Sequence, residues 1–144
     1  MNCTFFGHRD SPDQIYELLK HTLNKIIACE GADTFYVGNN GNFDFMCQKA
    51  LSEVYGDYPH IRYTILLSRI NEIALNNEQQ NTEFPETLER VPYRYAISRR
   101  NDIMIKKSDI LIAFVNNKFS NSYKLVEKAR RRGVKVINLY TPDK

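Results

Sequence analysis

Asp109-Ile110-Leu111-Ile112-Ala113-Phe114-Val115 is the run whose reading decides the fold. After Asp109 it is continuously apolar, the pattern of a strand covered on both faces. Such a strand belongs in the interior of a parallel sheet with helices above and below. Its neighbours agree. Downstream, a helix is expected from about Ser122 to Arg132, ending at Gly133, followed by a last strand from Val134 to Leu139. Upstream, Tyr95 to Lys107 reads as a helix with Ile97, Met104 and Ile105 facing inward.

The alternation continues back to the N-terminus. Cys3-Thr4-Phe5-Phe6 is a β-prone run that stops at Gly7. Ser11-Pro12-Asp13-Gln14 reads as a helix start, with Ser11 as cap, Pro12 in the first turn and Gln14 completing a capping box. Ile15, Leu18, Leu19, Thr22, Leu23 and Ile26 then recur at helical spacing as far as Glu30 and Gly31. Thr34 to Val37 is a second strand ending at Gly38. Beyond Gly41 a second helix carries Phe43, Met46, Cys47, Ala50, Leu51 and Val54 and ends near Gly56. Ile61 to Leu67 is a third strand. Residues 69–92 read as a mobile loop: Asn71 to Leu75 has helical potential, and Asn76 to Asn81 is polar and solvated.

The order β-α-β-α-β-(loop)-α-β-α-β predicts the α/β class. The expected architecture is a Rossmann-like open, mostly parallel five-stranded sheet, ordered 3-2-1-4-5, with helices on both faces. One domain spanning residues 1–144 is expected.

Composition narrows the function classes. Hydrophobic residues make up 42% and charged residues 26% of 144, which excludes disordered, collagenous and coiled-coil chains. No apolar run approaches the roughly 20 residues that span a bilayer. Met1-Asn2-Cys3-Thr4 begins no signal peptide, so a cytoplasmic protein without membrane contact is expected. The net charge of +3 is too mild to demand a nucleic-acid partner. Cys3, Cys29 and Cys47 contain no CxxC pair, so no metal and no cofactor is expected, and all three read as buried apolar residues.

In a sheet of this kind ligands bind beyond the carboxyl ends of the strands, where the strand order reverses. Three turns fall there: Gly7-His8-Arg9-Asp10-Ser11, Gly38-Asn39-Asn40-Gly41-Asn42-Phe43-Asp44, and Asn116-Asn117-Lys118-Phe119-Ser120-Asn121-Ser122. Each joins a strand end to a helix start, where free backbone N–H groups and the positive helix end favour phosphate. Glycine permits close approach of a ligand to the backbone. Arg9 adds a fork of donors. His8 suits a phosphate donor or an acid–base role. Each feature also has a plainer reading: tight turns for the glycines, a structural hydrogen bond for His8, a helix-dipole partner for Asp10. Ser98-Arg99-Arg100-Asn101-Asp102 offers an arginine to the strand ends or a solvated helix face. Lys124, Lys128, Arg130, Arg131, Arg132 and Lys135 form a basic cluster that suits a helix C-terminus or an anionic partner.

Thr4-Phe5-Phe6-Gly7-His8-Arg9 and Phe35-Tyr36-Val37-Gly38-Asn39-Asn40-Gly41-Asn42-Phe43-Asp44 resemble small bacterial and phage proteins of the SLOG superfamily, which unites the DNA-processing SMF/DprA proteins with the LOG phosphoribohydrolases. The similarity is greatest to the YspA/YpsA-related branch. Arg94-Tyr95-Ala96-Ile97-Ser98-Arg99-Arg100-Asn101 and Val136-Ile137-Asn138-Leu139 extend it over nearly the whole chain.

The resemblance implies a Rossmann-like fold and a ligand of the nucleotide class. LOG enzymes cleave the N-glycosidic bond of nucleoside monophosphates, and other SLOG domains are thought to sense nucleotide signals. In LOG enzymes an arginine precedes the fourth strand, a place held here by Arg99 or Arg100. A glutamate follows a PGGxGTxxE loop, and here Asn116 to Ser122 lacks those glycines. Aligning Asn121-Ser122 with Gly-Thr puts Leu125 at the glutamate position, and Glu127 lies about 200° further around a helix. The expected substitute carboxylate is Asp44, at the opening of the second helix, ahead of Asp10.

The leading expectation is a sensor or binding protein for a nucleoside monophosphate, NAD or ADP-ribose-like ligand. Gly7, His8, Arg9, Gly38, Asn39, Asn40 and Gly41 would line one side of its site, and Ser120, Asn121 and Ser122 the other. One alternative is a nucleoside 5′-monophosphate N-glycosidase using Asp44 with Arg99 or Arg100. Another is a DNA-binding module related to SMF/DprA. A homo-oligomer is expected by analogy with LOG proteins.

Overall fold

In the computed structural model, which describes residues 1–67, 80–83, 88 and 91–141, the chain forms six parallel strands. They are β1 (Asn2–Gly7), β2 (Thr34–Val37), β3 (Arg62–Leu66), β4 (Gln80–Glu83), β5 (Ile110–Phe114) and β6 (Lys135–Asn138). Four α-helices accompany them: α1 (Tyr16–Glu30), α2 (Asn42–Tyr55), α3 (Tyr93–Lys107) and α4 (Asn121–Arg131). The sheet order is β4-β3-β2-β1-β5-β6. The five expected strands therefore lie in the expected order, with β5 and β6 as the fourth and fifth of that series.

The sixth strand corrects the expected count. Gln80–Glu83, read as solvated loop and its border, pairs with β3 in parallel, from Tyr63 opposite Gln80 to Leu66 opposite Glu83. An edge strand is held by backbone hydrogen bonds to one neighbour, so it needs no apolar alternation. The segment Gln-Asn-Thr-Glu shows none. The helix expected at 71–75 lies outside the described residues.

Pleating explains how one apolar run serves two layers, because successive side chains leave opposite faces. Ile110, Ile112 and Phe114 join the cluster under α1 and α2, while Leu111, Ala113 and Val115 join the cluster under α3 and α4. In β1, Cys3 and Phe5 go to the first layer and Phe6 to the second. β1 pairs with β2 on one side and with β5 on the other. The chain leaves β1 toward β2 and leaves β5 toward β6, so the order reverses between β1 and β5.

The start of the first helix corrects the expected capping box. Pro12 precedes a 3-10 turn, Asp13–Ile15, and no side chain caps either that turn or α1. The Ser11 hydroxyl is buried and donates to the His8 carbonyl at 2.6 Å, which ties the turn back on itself. The cysteine reading also needs one correction: Cys3 and Cys47 are buried and Cys29, near the end of α1, is exposed. Among the described residues, no helix is long and apolar enough to cross a membrane.

Candidate functional site

A crevice of ≈ 730 Å³ opens at the carboxyl ends of the strands, over the β1/β5 reversal. That volume lies within the range of small-ligand sites. Gly7, His8, Arg9 and Asp10 enter it from the end of β1, and Asn40 and Asp44 from the turn after β2. Ile97, Ser98, Arg100, Asn101 and Asp102 enter from α3. Ser120, Asn121, Ser122, Lys124, Leu125 and Lys128 enter from the start of α4, and Phe6 forms part of the floor.

Close packing explains the glycines. A Cβ on Gly7 would stand 2.4 Å from the Phe43 ring. A Cβ on Gly38 would stand 2.7 Å from Asp44 Oδ2 and 2.9 Å from Arg100 Nη2, so both charged groups rest against the bare backbone there. Gly41 has φ +96°, and a Cβ on it would meet Arg9 Cα at 2.7 Å. The backbone N–H of Asn42 donates to the Arg9 carbonyl at 2.8 Å, which locks the first two turns together. Gly38 and Gly41 therefore shape the site from behind and do not line it. Asn39 is likewise set back, its Oδ1 accepting from Gln48 Nε2 at 3.1 Å.

The charged groups are held in place. Asp44 sits in the first turn of α2, is 8% exposed, and its Oδ2 accepts from the Asn40 backbone N–H at 2.9 Å. Arg100 is 3% exposed, and its Nη2 donates to Asn101 Oδ1 at 2.9 Å. Asn40 Nδ2 is buried without a hydrogen-bond partner among the described residues. A buried donor on a cavity wall with no protein acceptor is a group that a ligand oxygen would satisfy.

The third turn is pinned at both ends. Asn138 exchanges side-chain bonds with Val115, accepting from its N–H at 3.1 Å and donating to its carbonyl at 3.0 Å. The Asn116 N–H donates to His8 Nε2 at 3.0 Å. His8 thus meets its structural reading as well as lining the crevice. Ser120 caps α4 by accepting from the Tyr123 N–H at 3.1 Å, and the Ser122 hydroxyl donates to the Gly7 carbonyl at 3.3 Å.

Of the two candidate arginines, Arg100 lines the crevice. Arg99 is exposed and lines a separate shallow pocket with Val91, Pro92, Tyr95 and Ser98. The signal for that choice lay in the helical spacing: Ala96, Arg100 and Met104, four residues apart, are all buried along one stripe of α3.

The basic cluster divides. Lys124 and Lys128 face the crevice with Asn121, at spacings of three and four residues on α4. Lys128 also pairs with Asp102 at 2.5 Å. Arg130 pairs with Glu127 and Lys135 with Glu30. Arg131 and Arg132 are exposed at the end of α4 and make no ion pair among the described residues.

The crevice wall thus carries Arg9, Arg100, Lys124 and Lys128 against Asp10, Asp44 and Asp102. Two helices begin at its edge, α2 at Asn42 and α4 at Asn121, and bring their positive ends beside it. Such a wall suits an anion. Leu125 adds an apolar side chain to the wall beside Asn121 and Ser122. Among the described residues, no group of three or more His, Cys, Asp or Glu side chains is arranged to hold a metal ion.

No family model matches the chain, and no curated protein matches it. Its fold is similar to that of DNA processing protein A from Helicobacter pylori, whose structure describes a single-stranded DNA binding mode. The two are 19% identical with a TM-score of 0.58, over 90% of this chain and 62% of that one. This chain therefore spans less than two thirds of the length of that protein, and the likeness is one of fold, a Rossmann-like α/β architecture.

Proposed function

We propose that the crevice binds the phosphate of a nucleotide unit, and that the unit belongs to single-stranded DNA. The observation that carries the phosphate reading is convergence. Arg100, Lys124, the orphan donor of Asn40 and the starts of α2 and α4 all address one cavity. A phosphate would give the Asn40 amide an acceptor and lie beside the cations, where charge-assisted hydrogen bonds are strong. The choice of DNA rests on the fold shared with DNA processing protein A. The exposed Arg131 and Arg132 support it. They lie at the far end of α4, whose 11 residues span about 16 Å, and would extend the positive surface beyond the crevice.

The test is fluorescence anisotropy with labelled oligothymidylate across a salt series. Affinity should fall linearly in logarithmic coordinates as salt rises, and weaken in a variant lacking Arg131 and Arg132. Absence of binding at low salt by folded protein would remove the DNA reading.

A free nucleotide is the second reading, favoured by a cavity volume that suits a single small ligand. Under it the protein is a sensor or binding protein for a nucleoside monophosphate, NAD or an ADP-ribose derivative. Titration calorimetry with that panel separates it from the first. Leu125 at the glutamate position favours binding over hydrolysis. Release of free base from a nucleoside monophosphate, abolished in Asp44→Asn, would establish the N-glycosidase reading instead. Placement in the YspA/YpsA-related branch and a homo-oligomeric state rest on the motif resemblance alone, and light scattering tests the oligomer directly.

A further inference from the structure

We propose that Phe119 is the platform on which the base of the bound nucleotide stacks, an inference that rests on reading the crevice as a nucleotide site. A nucleotide has an anionic end and an aromatic end, and the crevice wall described above provides for the first only. Among its described lining residues the sole aromatic carbocycle is Phe6, which is 6% exposed and packed into the layer under α3 and α4. The His8 imidazole is engaged by the Asn116 N–H and set edge-on to the Phe114 ring. The base therefore needs a ring from outside the wall.

Phe119 stands one residue before Ser120-Asn121-Ser122, the segment that lines the crevice. It is 93% exposed, against 51% for the next most exposed large hydrophobic residue described, Met1. Its segment is firmly held: the Phe119 N–H donates to Asn117 Oδ1 at 2.9 Å, and the Ser120 N–H and hydroxyl donate to the Asn117 carbonyl at 3.2 and 2.8 Å. The turn thus presents the ring in water on a backbone already ordered, so little backbone entropy is lost on binding. Lys118, exposed beside it, adds a cation on the same rim. An exposed ring and a cation in the turn that leads into an anion pocket supply the two elements by which single-stranded nucleic acid is gripped with little sequence preference.

The chain contains no tryptophan, so Phe119→Trp places a sole indole at the rim. The probes are oligothymidylate, the four nucleoside 5′-monophosphates and, as a base-free control, ribose 5-phosphate. Base-bearing probes should quench the indole and ribose 5-phosphate should not. Phe119→Ala should weaken base-bearing probes roughly 5- to 150-fold while leaving ribose 5-phosphate binding unchanged. Full affinity in Phe119→Ala, or an unquenched indole at saturation, would overturn the stacking role and leave the crevice reading standing. Equal weakening of base-bearing and base-free probes would also overturn it, by showing that the ring acts on the turn. No binding of any probe by the folded wild-type chain would overturn both readings together.

Discussion

Among the described residues, the face of the sheet that carries α1 and α2 buries 23 apolar side chains in one cluster, and the face that carries α3 and α4 buries 10. The first layer is closed by helices whose inward stripes are mostly apolar, from Leu19 to Ile27 on α1 and from Phe43 to Val54 on α2, with Thr22, Asp44 and Gln48 as their buried polar members. Among the described residues the second cluster is smaller, and on α3 the buried row of Ala96 and Met104 takes in Arg100, with Asn101 beside it. Burying a guanidinium is costly unless hydrogen bonds compensate, so a layer built only for stability gains nothing from it. The two sides contribute unequally to fold and crevice. The α1/α2 side supplies most of the described apolar burial and lends Asp44 to the crevice, while the α3/α4 side supplies Arg100, Asn101, Lys124 and Lys128.

Thiol chemistry should show that inequality most sharply. Cys3 and Cys47 lie in the closed layer, where burial pushes both thiols well above their ordinary range, and the Asp44 charge adds to the effect at Cys47. A thiol reagent at pH 8 should label Cys29 alone in the native protein and all three cysteines in urea, with native rates differing by orders of magnitude. Labelling of Cys47 at the rate of Cys29 would show that the closed layer opens.

Side-chain truncation gives the next contrast. Phe35→Ala in the closed layer should cost about 3–5 kcal/mol in urea denaturation. Gly38→Ala should cost about 1–3 kcal/mol, because the new methyl overlaps Asp44 Oδ2 and Arg100 Nη2. It should also weaken phosphate ligands out of proportion to its effect on stability. Equal losses of stability and affinity across both variants would break the inequality between the two sides. Lys124→Ala should change stability by less than about 0.5 kcal/mol while reducing the salt slope of oligonucleotide binding by about one.

The smallest effect is expected where α1 meets α2 at the surface. Glu53 accepts from the Tyr16 hydroxyl and from Lys20, and these bonds hold its carboxyl below its ordinary 4.5. A depressed carboxylate stabilises above its unfolded-state value and loses that contribution as pH falls through its folded-state value. Glu53→Gln should therefore cost less than about 1 kcal/mol at pH 7, since the pair is exposed, and the cost should fade as pH drops below 4.5. A cost unchanged at pH 3 would place the effect in packing instead of charge.

Particular residues show where sequence reasoning stopped. Arg99 and Arg100 are adjacent and chemically identical, and the choice between them depends on which falls in line with Ala96 and Met104. Lys124 and Lys128 belong by composition to one basic cluster, while their spacing from Asn121 puts them on its helix face. The strand Gln80–Glu83 left no trace at all, because its place is set by the free edge of β3 and by backbone groups that every residue has.

Local sequence signals set five of the six described strands, the four α-helices and their order. Apolar periodicity and turn residues are local properties of the backbone, and alternating strands and helices leave few ways to cover both faces of a sheet. The tertiary structure alone decided which residues meet. Gly7 and Ser122 are 115 residues apart in the chain and joined by a hydrogen bond across the crevice, and Gly38 brings Asp44 and Arg100 to one point of backbone. Those distances follow from the register of β1 against β2 and β5. That register is set by the packing of whole layers, so no single stretch of the sequence contains it.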